Sequence, residues 1–155
     1  MIFSELIHKL TKSIVKGNGE EAASCFHNDG GYNDIFYGYF PKRKINSLVN
    51  DYFHRDAEKF VWNVEQVSST GKIGFAQYTF SYTSKMAKSK GKRAFFEGVS
   101  ICELRNGLIY KYSEVAEVYA ALAMMNFSPS ELQKLAARQA KSYIRLASKE
   151  HLLRE

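Results

Sequence analysis

Residues 22–53 read AASCFHNDGGYNDIFYGYFPKRKINSLVNDYF. At their centre Tyr32–Phe40, YNDIFYGYF, sets five aromatic residues around a single acid, Asp34. A lone carboxylate among rings is costly unless it is paired, hydrogen-bonded or held neutral. Two readings follow. Asp34 is either a strand-end acid bonding nearby backbone amides, or a pocket acid whose pKa is raised toward neutrality, fit to serve as a general base or polar anchor. The flanks set its frame. A short helix is expected from about Glu20 to Phe26, ended by Asn28-Asp29-Gly30-Gly31. The aromatic stretch suits an extended segment, closed by Gly38 and Pro41. A further helix is expected from about Lys42 to Asp56, with Ile45, Leu48, Val49, Tyr52 and Phe53 on one face.

Working outward, Phe3, Leu6, Ile7, Leu10 and Ile14 follow helical spacing up to Gly17. Beyond Asp56 the period changes to two. Strands are expected over 61–67, 73–82, 94–104 and 108–118, with an Asn106-Gly107 hairpin between the last two. Helices first and long strands after them predict an α+β domain with helices packed on one face of an antiparallel sheet. Ser128-Pro129-Ser130-Glu131 is a strong helix start. The chain therefore divides into a domain over 1–125 and a C-terminal helical extension over 126–155. The extension carries an apolar stripe of Leu132, Leu135, Ala136, Tyr143, Ile144 and Ala147.

Composition narrows the classes. With 155 residues, 45% hydrophobic and 14% aromatic, the chain suits one globular domain with a real core. The net charge of +6 admits an anionic partner, but also a simple solubility role. The basic run at 85–93 lacks the stacking neighbours of a nucleic-acid site, so no specific nucleic-acid partner is expected. His8, His27, His54 and His151 are scattered, Cys25 and Cys102 form no spacing framework, and neither a metal nor a cofactor is expected. The start MIFSELIHKL is not a signal peptide, and the run at 118–125 is too short to cross a bilayer. A cytoplasmic protein with no membrane partner is the expectation.

The order of elements, with FFEGVSICELRNGLIYKYSEVAEVYAAL at 95–122 as the last hairpin, resembles the nuclear-transport-factor-2-like superfamily over about residues 2–125. That superfamily includes ketosteroid isomerase, SnoaL-like polyketide cyclases and limonene epoxide hydrolase. The resemblance implies a cone-shaped, strongly bent antiparallel sheet wrapped around the N-terminal helices, an apolar pocket at its open end, and a homodimer. It places Asp34 where ketosteroid isomerase has its general base, and Glu114 where the hydrolases and cyclases have a pocket acid. The isomerase's two carbonyl-polarising positions fall on Leu10 and Val99, neither of which can donate, so that activity is rejected. Strand 73–82 holds no arginine, so the acid–arginine–acid machinery of the epoxide hydrolases is unsupported.

Asp34 and Glu114 are thus the candidate catalytic residues, and Glu114 has its own plain reading as an acid at an exposed strand end. Tyr32, Trp62 and Tyr112 are candidate ligand contacts, although aromatics on alternating strand positions are more often plain core. Gln77 and Thr79, alternating with Tyr78 and Phe80, either face solvent or supply a pocket's few polar contacts. The function expected is binding of a small apolar molecule, with acid–base turnover of the isomerase, cyclase or hydrolase class by a pocket carboxylate. The alternative is a non-catalytic dimeric interaction module with a filled or covered pocket.

Overall fold

The computed structural model describes residues 2–149, so the last six residues of the C-terminal extension lie outside the described residues. Helix α1 spans Phe3–Val15 and buries Phe3, Leu6, Ile7, Leu10 and Ile14. Gly17, at φ +74°, turns the chain away from it. Helix α2 spans Gly19–Ser24 and is capped by Asn18, whose side chain accepts from the Glu21 amide at 3.0 Å. A helical segment at 42–56, α3, changes pitch along its length, with a π-helical turn at Leu48–Phe53.

Six strands form one sheet in the order β2-β1-β6-β5-β4-β3. They are β1 Phe26–Asp34, β2 Gly38–Pro41, β3 Ala57–Ser69, β4 Ile73–Ser84, β5 Arg93–Arg105 and β6 Leu108–Ala116. Register breaks in the β1–β6, β3–β4 and β5–β6 pairs bend the strands. The concave face takes α1 against β3, and the Phe3 ring fills the space that a side chain at Gly74 would need. Helix α4, Tyr119–Met124, crosses β5, and α5, Pro129–Lys149, follows it. Leu132 and Leu135 of α5 pack with Leu122 and Met125 on the sheet's second apolar cluster.

Three elements differ from the sequence reading. Residues 28–31 continue strand β1 rather than ending a helix, and at Gly30 the chain runs too close to β6 for any side chain. A Cβ on Gly30 would lie 2.7 Å from the Tyr110 carbonyl oxygen and 2.8 Å from that of Ile109. Consequently β1 runs parallel to β6, inside an otherwise antiparallel sheet. The last strand ends at Ala116 rather than at about Val118, and helix α4 follows it.

Candidate functional site

The parallel register sets Tyr32 opposite Tyr112 and so carries Asp34 alongside Glu114. Both acids face an aromatic cavity of about 60 Å³. Its walls include Phe60, Trp62, Tyr78, Phe80 and Phe96 from the long strands, and Phe36 and Tyr37 from the β1–β2 turn. The Trp62 Nε1–H is buried with no hydrogen-bond partner among the described residues.

Asp34 is 6% exposed. Its Oδ1 accepts from the Phe36 and Tyr37 amides at 2.9 and 2.8 Å, an Asx turn that shapes the β1–β2 connection. Its Oδ2 takes no hydrogen bond from the described residues. Burial pushes its pKa up to about 6, against the pull of the two amides. Glu114 sits within strand β6, two residues before its end at Ala116. Burial, and then the charge of Asp34, push its pKa up to about 7. The Tyr78 hydroxyl donates to Glu114 Oε2. Tyr112 adds a longer contact to that oxygen at 3.4 Å, and its own hydroxyl lies 2.8 Å from Ser100 Oγ. Tyr32 stacks on Tyr112 with ring centroids 4.1 Å apart. Burial and the nearby carboxyls raise the phenol pKa values of Tyr32, Tyr78 and Tyr112, so all three stay neutral donors.

One site residue escaped the sequence reading. Asp56, at the end of α3, lines the cavity mouth and accepts from the Tyr37 hydroxyl at 2.7 Å. Arg55 grips its two oxygens at 2.7 and 2.8 Å and holds its pKa below the ordinary carboxylate range. Tyr78 lies across β5 from Ala116, through Gly98, and Glu114 lies across it from Ala76, through Ser100, so the two are diagonal neighbours on the inner face.

Of the sequence candidates, Asp34, Glu114, Tyr32 and Trp62 line the cavity, and Tyr112 stands one layer behind it. Gln77 and Thr79 do not join them. They belong to the outer face of β4, where Thr79 pairs with Asn63 and approaches Glu65, because the inward residues of that strand are Ala76, Tyr78 and Phe80. Val99 also points outward, at 37% exposed. The inward neighbour is Ser100, so the position compared with the isomerase's protonated acid is not a pocket position at all. Leu10 is fully buried in α1. Cys25 and Cys102 are both buried free thiols. Among the described residues no cluster suits a metal ion, and no helix is long and apolar enough to cross a membrane.

Outside the cavity an open groove of about 640 Å³ runs between the β1–β2 turn and helix α5, sharing Asp34, Ile35 and Phe36 with it. Lys88 anchors α5 by an ion pair to Glu131 at 2.6 Å and by packing over the Phe127 ring. The helix therefore flanks the cavity mouth without filling it.

No family sequence model and no curated protein matches the chain. Solved structures do. A protein with a ketosteroid isomerase-like fold from Catenulispora acidiphila DSM 44928, in complex with trimethylamine, superposes with a TM-score of 0.70 at 13% identity. The match covers 80% of this chain and 94% of that one. An LEH-like epoxide hydrolase of M. tuberculosis gives 0.64 at 12% identity, over 86% and 94% of the two chains. An NTF2-like protein of Burkholderia thailandensis E264 gives 0.66 at 9%, over 78% and 95%. At such identities the likeness is one of fold, and the chain has the NTF2-like, ketosteroid isomerase-like fold.

Proposed function

We propose that the chain binds a small, largely apolar molecule in the aromatic cavity and performs acid–base chemistry on it with Asp34 and Glu114. The observation that carries this reading is the placement of two inward-facing carboxyls, Asp34 buried and Glu114 half-buried, on adjacent strands beside one cavity. Two such groups that resist ionising together share protons, so near neutral pH one is a base while the other is an acid. Asp34, with Oδ2 unengaged, is the base. Glu114, held by Tyr78, is the acid. A cavity of about 60 Å³ falls well below the roughly 300 Å³ of common ligand pockets, so the substrate is small or the groove side opens to admit it. The trimethylamine bound by one structural neighbour sets a scale for the first ligands to test. Titrating the side-chain carboxyl carbons by NMR should give Asp34 an apparent pKa near 6. A value at or below that of free aspartate removes it as the base.

A second reading, a homodimeric interaction module, is favoured by the outer sheet face. Phe75, Phe95, Val99 and Val115 stand there between 37% and 69% exposed, on neighbouring strands. Such a patch needs cover, and a second copy of the sheet would give it. Sedimentation at micromolar concentration should show a dimer, dissociated by Phe75→Lys. A clean monomer excludes this face as an interface. A cytoplasmic location, where both thiols stay reduced, suits either reading.

The C-terminal extension acts, on this proposal, as a flap over the cavity mouth. Truncation after Phe127 removes Leu132 and Leu135 from the second cluster and one wall of the groove. The truncated protein should bind an apolar dye more strongly while keeping its oligomeric state. Unchanged stability and dye binding would deny the helix that role.

A further inference from the structure

We propose that the cavity's ligand is a small organic cation, an alkylammonium ion held by aromatic faces and the two facing carboxylates. The inference rests on the ligand-pocket reading above and adds the charge. Ten of the sixteen residues lining the cavity are aromatic, three are acidic and none is basic. In a chain with an excess of six basic residues, that separation of charge is not a sampling of its composition. Aromatic faces carry negative quadrupole density and attract ammonium groups whose methyls fill the apolar space. Asp34 is almost wholly buried, yet its Oδ2 has no donor among the described residues. That oxygen is the open part of a carboxylate otherwise shut away among rings, and a bound cation would meet it there. Glu114 stands beside it, and the two negative charges repel each other until a positive one lies between them.

The nearest basic groups do not compete for the place. Arg55 is engaged by Asp56 at the mouth, and Lys85 donates to the His54 carbonyl at 2.6 Å. Arg138 lines the outer groove and not the cavity. The Trp62 Nε1–H is neutral and suits an oxygen or a water carried by the same ligand.

The test compares isosteres on the unaltered protein at pH 8, where both acids ionise most readily. The tert-butylammonium ion, uncharged tert-butanol and anionic pivalate share one shape and differ in charge. NMR shift titration of the Trp62 indole N–H reads their binding. The ammonium ion should bind at least tenfold more tightly than the alcohol, and pivalate not at all. Asp34→Asn should reduce that preference at least fivefold, and Glu114→Gln should act in the same direction. Equal or tighter binding of the alcohol overturns the cation while leaving the pocket reading intact. Failure of all three to bind overturns both. Because the isostere comparison needs no variant, it decides even if a variant misfolds.

Discussion

The double variant Asp34→Asn, Glu114→Gln should be more stable than the parent at pH 8 by several kcal/mol. Both acids are held above their ordinary pKa values, Asp34 up to about 6 and Glu114 up to about 7, chiefly by burial. Between about pH 4 and 7 the folded chain therefore binds more protons than the unfolded one, and stability falls as pH rises. The contribution of these groups is fully present below about pH 4 and is lost once pH has passed both folded values. Each pKa unit corresponds to about 1.4 kcal/mol, so a shift of roughly two units at each site gives about 3 kcal/mol per group. Asn keeps the Oδ1 acceptor for the two turn amides, and Gln keeps an acceptor for Tyr78. Their added N–H groups face the cavity, which moderates the gain. Asp56 runs the opposite way, since its partners hold its pKa down and its contribution is lost at low pH. The measurement is chemical denaturation of parent and variant from pH 4.5 to 8. The difference should be small at the acid end and grow steadily. A constant difference would mean that neither carboxyl is held protonated in the folded state.

That result would also show why a site of this kind is only half legible in a sequence. Asp34 is visible because its flanking rings are extreme, and Glu114 only because the superfamily resemblance places a pocket acid there. What alternation does not reveal is which face is inner when both carry rings. Strand β4 turns Tyr78 and Phe80 inward and Phe75 outward, so Gln77 and Thr79 were open to either reading. The same parity separates Val99 from Ser100. Asp56 was hidden differently. It ends a helix whose pitch changes along its length, so helical spacing assigns it no face. The parallel pairing of β1 with β6 was the deepest loss. Asn28-Asp29-Gly30-Gly31 has the composition of a turn, and only the proximity of another strand, invisible locally, makes those glycines strand residues.

Those glycines carry the other large expectation. Gly30→Ala should cost about 3 kcal/mol and disassemble the site. Its Cβ would meet three backbone oxygens, Tyr110 at 2.7 Å, Ile109 at 2.8 Å and His27 at 3.1 Å. None belongs to a side chain that can swing aside, so β1 must move from β6, and overpacking of this kind costs about 1–3 kcal/mol or more. The movement acts on function through register. Gly31 and Tyr32 are the β1 residues that pair with Lys111 and Tyr112, and that pairing holds Asp34 beside Glu114. In the variant Asp34 should gain solvent and titrate nearer to an ordinary aspartate. Glu114 should follow it downward as the charge of Asp34 moves away. Gly71→Ala is the control. At φ +83° it strains the β3–β4 turn by about 1 kcal/mol, but nothing lies within 4 Å and the site is remote. Urea unfolding and NMR titration of both acids separate the two substitutions. If Gly30→Ala lowers stability no more than Gly71→Ala and leaves both pKa values raised, the close approach of β1 to β6 is not what builds the carboxyl pair.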